Sequence, residues 1–149
     1  MQLAPGTANP ILWAYALTSI VLSLNLLALW ISSGARRVRV GVAINPEDGA
    51  RYGVPVSETD PPEVARYLRA HRNAEATIYP FLVLGVVYVL VGGTARVALP
   101  IFAIFVLARV AHSIVYLRAL QPWRTIMFAV SLVAIVVLML ATVFQLVGR

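Results

Sequence analysis

Two short polar clusters interrupt an otherwise apolar chain. The first runs Arg69-Ala-His-Arg-Asn-Ala-Glu75. At helical spacing, Arg69, Arg72, Asn73, Ala76 and Pro80 fall on one stripe, while Glu75 reaches His71 at four residues and Arg72 at three. The second places Arg109, His112, Ser113 and Tyr116 at i, i+3, i+4 and i+7, which puts all four on one helix face. With Arg124, these side chains make a cationic pocket that also carries hydroxyl and amide donors. Such a pocket suits a small, flexible, carboxylate-bearing molecule. Two blander readings stand beside this one. The first cluster could be intrahelical ion pairs at a membrane surface, and Arg109 could pair with Glu75 simply to tie two helices together. That leaves Arg72, His112, Tyr116 and Arg124 without a role, and an arginine near the middle of an apolar span costs roughly 2.5–3.5 kcal/mol on insertion scales.

Other chemistries are narrowed by what is missing. The chain has no cysteine, so thiol chemistry must use a thiol brought in by a substrate or cofactor. His71 and His112 are the only histidines and no HExxH pattern or carboxylate cluster accompanies them, so no metal site is expected.

The elements that hold these clusters are membrane spans. Of 149 residues, 60% are hydrophobic and 12% charged, with a mean hydropathy of +0.85, whereas soluble domains carry about 25% charged residues. Apolar runs long enough to cross a bilayer, about 20 residues of helix, predict an all-α, integral membrane four-helix bundle forming a single domain over 1–149. The spans are expected at about 11–33, 61–91, 97–117 and 122–147. Pro10 suits the start of the first and Gly34 its end. A polar loop is expected over about 34–60. Thr59 or Asp60 can cap the second span, Gly92-Gly93 break it, and Pro122 opens the fourth. Asn25 is an isolated polar group suited to bonding a neighbouring helix. Trp13, Trp30 and Trp123 lie near span ends, as interfacial anchors do.

Arginine placement predicts orientation. Arg36, Arg37, Arg39, Arg51 and Arg66 in the first loop, with Arg118 and Arg124 in the third, oppose only Arg96 and Arg149. The first and third loops are therefore expected in the cytoplasm, with both termini on the opposite side. This also accounts for most of the net charge of +6 without a nucleic-acid partner. The second span is continuously apolar only from Ile78 to Val91, about 14 residues, which is too short to cross alone. It must draw part of its polar cluster toward the membrane, where those groups are expected to face the bundle interior or a wet cavity.

At these residues the chain resembles the MAPEG family, the membrane-associated proteins of eicosanoid and glutathione metabolism, and within it the branch of microsomal prostaglandin E synthases and glutathione transferases. The resemblance is carried by Asn45-Pro-Glu-Asp48, Leu68-Arg-Ala-His-Arg-Asn73, Thr77-Ile-Tyr-Pro-Phe81, Arg109-Val-Ala-His112 and Tyr116-Leu117, and extends from about Gly34 to Arg124. It implies a homotrimer with glutathione bound between neighbouring subunits. By position, Arg72, Asn73, His112, Tyr116 and Arg124 would hold glutathione, and Arg37 would contribute from the adjoining subunit. Arg109 would lie near the thiol end, Thr125 would hydrogen-bond the sulfur, and Asp48 would take part in proton transfer. Two positions depart from the family. Ala76 stands where the family has the glutamate that receives the glutathione amino group, so Glu75, about 100° away around the helix, is the remaining nearby acid. Phe128 stands where the prostaglandin synthase has a tyrosine.

The function implied is a glutathione-dependent transferase, isomerase or peroxidase acting on a lipophilic electrophile or lipid peroxide that enters from the membrane lipid. Its catalytic candidates are Arg124, Thr125, Asp48 and Arg109, and its glutathione-binding candidates are Arg37, Arg72, Asn73, Glu75, His112, Tyr116 and Arg124. The alternative is a non-catalytic lipid-binding or partner-scaffolding member of the same family. A small transporter is disfavoured, because no inverted pair of broken spans is visible.

Overall fold

The computed structural model describes residues 9–148. Among these it contains five helices: α1 (Pro10–Val40), α2 (Pro46–Tyr52), α3 (Pro62–Leu90), α4 (Ala95–Leu117) and α5 (Trp123–Val147). Four of them, all but α2, are long and apolar enough to cross a bilayer. They pack as a bundle in which α3 and α4 both contact α1 and α5. Arg149, counted in the arginine balance above, lies outside the described residues.

The helix starts follow local chemistry. The side chain of Asn9 accepts from the backbone N–H groups of Ile11 and Leu12 at 3.1 and 3.4 Å, and Pro10 gives up no bond in the first turn. Three expectations fail here. The first helix does not end at Gly34 but continues to Val40, where Gly41 takes a left-handed conformation (φ 69°) and its N–H closes onto Arg37 and Val38. Hydropathy stops near Gly34; the backbone stops where a residue adopts the terminating conformation. The stretch expected as loop also contains α2, started by Asn45, whose side chain accepts from the Asp48 N–H at 2.9 Å, and by Pro46. Nor does Thr59 or Asp60 cap α3; Pro61 holds that position without a side-chain bond, and Asp60 is drawn to Arg37 instead.

The core sits where α1, α3 and α4 meet. Phe81 stacks flat on Phe105 (3.7 Å between centroids, 2° between planes) and meets Phe102 edge-on, while Tyr15 of α1 tilts against Phe102. Tyr15 also donates its hydroxyl to the Leu82 carbonyl at 3.1 Å, bridging α1 to α3. Hydroxyls within the spans satisfy themselves on the preceding turn, as Ser113 does on the Arg109 carbonyl and Thr142 on the Leu138 carbonyl, which an apolar solvent demands.

Candidate functional site between α3, α4 and α5

The α4 stripe faces inward. Arg109 is fully buried, at 0% exposure, and His112 and Ser113 are buried beside it. Arg109 reaches across to α3, where its Nη2 donates to Asn73 Oδ1 at 3.2 Å. It forms no ion pair with Glu75, so that pairing does not hold, and Arg109 joins α4 to α3 through Asn73 instead. Since Arg109 occupies the Asn73 oxygen, the amide Nδ2 is the group left to face a ligand. Arg109 thus orients Asn73.

A tight connection brings the start of α5 against this face. Ala119 adopts φ 57°, and the Ala119 and Leu120 N–H groups fold back onto Tyr116 and Val115, a helix ending of the Schellman kind. Gln121–Pro122 is cis. Arg124 lies above Tyr116, its guanidinium carbon 5.0 Å from the ring centroid. Asn73, His112, Tyr116, Arg124, Thr125 and Phe128 line one cavity of about 270 Å³. His112 packs edge-on to Tyr116 and tilts toward Phe128. The wall is rich in donors and contains no carboxylate, which fits an anionic ligand.

Gln121, not expected from the sequence as part of the site, holds two of these residues. With its amide oxygen toward Arg124, it accepts from Nε at 3.2 Å and Nη2 at 2.8 Å, and its nitrogen donates to Thr125 Oγ1 at 3.2 Å. The Thr125 hydroxyl then keeps its own proton for another acceptor. The signal was available, since Gln121 stands three residues before Arg124 and four before Thr125.

The other expected residues stand elsewhere in the protomer. Arg37, Asp60, His71, Arg72 and Glu75 line a cleft of about 640 Å³ between α1 and α3. Arg37 also lines a separate cleft of about 460 Å³ with Asp48 and Tyr52. Glu75 faces His71 Nδ1 at 3.4 Å, the expected partner four residues away, and accepts from the Tyr79 hydroxyl at 3.1 Å. It forms no ion pair with Arg72. The α3 polar groups, expected to face the bundle interior or a wet cavity, divide: Asn73 lines the cavity toward α4, while His71, Arg72 and Glu75 line the cleft beside α1 rather than the bundle interior. Arg69, Arg72, Ala76 and Pro80 are exposed on the protomer and only Asn73 turns toward α4. The reason is competition for the inner face, which Ala70, Ala74, Thr77, Ile78, Phe81, Gly85 and Tyr88 take instead. Among the described residues no group of three His, Asp or Glu side chains forms a metal-binding cluster.

Comparison with known proteins places the chain in a family. Residues 15–144 match the sequence model of the MAPEG family. The chain is 40% identical over 125 residues to prostaglandin E synthase of Homo sapiens, covering 83% of this chain and 82% of that protein. It is 38% identical over 132 residues to prostaglandin E synthase of Equus caballus, covering 88% and 84%. It is 35% identical over 129 residues to microsomal glutathione S-transferase 1 of Mus musculus, covering 83% of each. With four long apolar helices and a family match over most of its length, the chain is an integral, multi-pass membrane protein that belongs to the MAPEG family.

Proposed function

We propose that the protein is a glutathione-dependent membrane enzyme, a transferase, isomerase or peroxidase acting on a lipophilic electrophile or lipid peroxide. The observation that carries this reading is the cavity lined by Asn73, His112, Tyr116, Arg124 and Thr125, whose side chains all carry hydrogen-bond donors. Two relatives are named for prostaglandin E synthesis and glutathione transfer, which supports the same class of chemistry. When bound, glutathione would supply a nucleophilic thiol, the chemistry a cysteine-free chain lacks.

The chain's own residues then have distinct tasks. Arg124 and Arg72 pair the ligand's carboxylates, and Asn73, oriented by Arg109, donates its amide. Tyr116 braces Arg124 through its ring, and His112 and Tyr116 close the wall. Thr125, receiving its hydrogen bond from Gln121, donates its proton toward the sulfur. Asp48 lies in the Arg37 cleft, a position from which proton transfer requires that cleft to adjoin the pocket. Beyond Thr125, α4 and α5 form an apolar groove of about 400 Å³ from Ile126 to Val137, a route by which an apolar acceptor reaches the thiol from the bilayer.

Glutathione-sized ligands occupy pockets of roughly 300–1,000 Å³, and the cavity of about 270 Å³ falls short. The exposed Arg69 and Arg72 on a spanning helix also need a polar or protein cover. Both points support a homotrimer in which glutathione lies between subunits and Arg37 of one chain completes the site of the next. The arginine-rich first and third loops belong to the cytoplasmic side in this reading.

Exposed Ala76, bearing no acid, favours a second reading, a lipid-binding member without catalysis. Glutathione-dependent turnover separates the two. Detergent-purified protein should conjugate glutathione to chlorodinitrobenzene or reduce a lipid hydroperoxide above the uncatalysed rate. Absence of both activities, together with tight lipid retention, would favour the second reading.

A further inference from the structure

A γ-glutamyl thiol carries an ammonium and a carboxylate on the same carbon. A site that pairs both charges of this head group has an anion beside a cation, and the cavity between α3, α4 and α5 contains no carboxylate. Two carboxylates face the cleft on the other side of α3, those of Glu75 and Asp60. Glu75 accepts from the Tyr79 hydroxyl on Oε1 at 3.1 Å and stands 3.4 Å from His71 Nδ1 through Oε2, with no guanidinium paired to it.

Asp60 is different. Arg37 reaches it through Nε at 3.1 Å and Nη2 at 2.7 Å, and both bonds end on the same oxygen, Oδ1. Among the described residues, the second oxygen, Oδ2, and the third guanidinium nitrogen, Nη1, have no hydrogen-bond partner. The pair therefore displays one free anionic acceptor and, at the far end of the guanidinium, one free cationic donor. Both side chains keep about a fifth of their surface open, 23% for Arg37 and 20% for Asp60, and both line the cleft of about 640 Å³.

We propose that Arg37 and Asp60 together receive the α-amino-acid head group of the γ-glutamyl ligand, its carboxylate on Arg37 Nη1 and its ammonium on Asp60 Oδ2. This rests on the glutathione reading above and supplies the anion that Ala76 does not. The existing ion pair need not break, because the ligand uses the atoms it leaves free. The two side chains are thus held in place before binding, which lowers the ordering cost. Because Asp60 is bonded to Arg37 within one chain, it travels with Arg37 into whichever subunit's site Arg37 completes.

The test is calorimetry on the full chain in detergent with two probes, glutathione and its deamino analogue glutaryl-cysteinyl-glycine. The parent should prefer glutathione by roughly tenfold, the worth of one charge-assisted bond at a partly open site. Asp60→Asn retains an oxygen for Arg37 but loses the charge. It should bind both probes equally, with affinity for the deamino analogue unchanged. Glu75→Gln should keep the parent's preference. Retained preference in Asp60→Asn, or its loss in Glu75→Gln, would overturn the assignment. So would a parent that binds both probes equally, an outcome that leaves glutathione binding itself intact. A parent that binds neither probe would overturn the glutathione reading and this assignment with it.

Discussion

Asn73→Asp should move stability and ligand binding in opposite directions. Asn73 stands between Arg109, which donates to its Oδ1 at 3.2 Å, and the cavity it helps to line. Aspartate has nearly the same shape, so Arg109 keeps its acceptor and gains a full negative charge opposite its own. The existing bond, charged on one side, is worth about 1.5–3 kcal/mol, and charging the acceptor strengthens it further. Asn73 is only half-buried, so the new carboxylate is incompletely desolvated and the penalty for its charge is partial. A net gain of about 1 kcal/mol follows, or about 2–4 °C in Tm for a chain of this length. Toward the ligand the change works the other way. The Nδ2 donor disappears and a negative charge faces an anion. Losing one hydrogen bond to a charged group costs about 1.5–3 kcal/mol, which is roughly 10–150-fold in Kd. Tryptophan fluorescence melting in detergent reads the first effect and glutathione calorimetry the second. Binding preserved within about threefold would refute the role of Asn73, and a Tm lowered by more than about 4 °C would refute the geometry assigned to Arg109.

Three further outcomes follow from the same contacts. Gln121→Leu removes the bonds that hold Arg124 and Thr125, and should raise the KM for glutathione about 3–10-fold with Tm nearly unchanged, because residue 121 is exposed. Thr125→Val removes the hydroxyl but keeps the shape, and should lower kcat about tenfold while glutathione Kd shifts less than about threefold, as steady-state kinetics beside calorimetry would show. Gly93→Ala should destabilise by about 1–3 kcal/mol, because its Cβ would collide with the Tyr88 ring, itself fixed by a bond from the Thr94 N–H to its hydroxyl; a melting curve checks this.

The spans and the α4 stripe were legible because hydropathy and the 3.6-residue period survive folding unchanged. Arg109, His112 and Tyr116 share a face in the sequence and do so in the structure. Helix ends were legible where a residue dictates backbone, as at Pro10 and Gly92, and misread where hydropathy was used instead, as at Gly34. The α2 helix carried its signal in Asn45 and Pro46, and reading the stretch by polarity alone concealed it. Which face of α3 turns inward was not settled by its charged residues, because the alternative stripe from Ala70 to Tyr88 packs better against α1 and α4. The Arg37–Asp60 pair was beyond reach, since its partners lie 23 positions apart on separate helices and loops and no periodicity relates them. Tyr79 on Glu75, four residues apart, could have been found.

The most direct test is glutathione calorimetry on the parent, Arg124→Ala and Arg72→Ala. Arg124 touches the Tyr116 ring and Gln121, and Arg72 is exposed, so neither substitution should lower Tm by more than about 3 °C. Micromolar to millimolar binding by the parent, weakened at least about tenfold in both variants, is the expected result. No heat and no thermal stabilisation of the parent at several millimolar glutathione, on the order of the weakest affinity that reading allows, would contradict it.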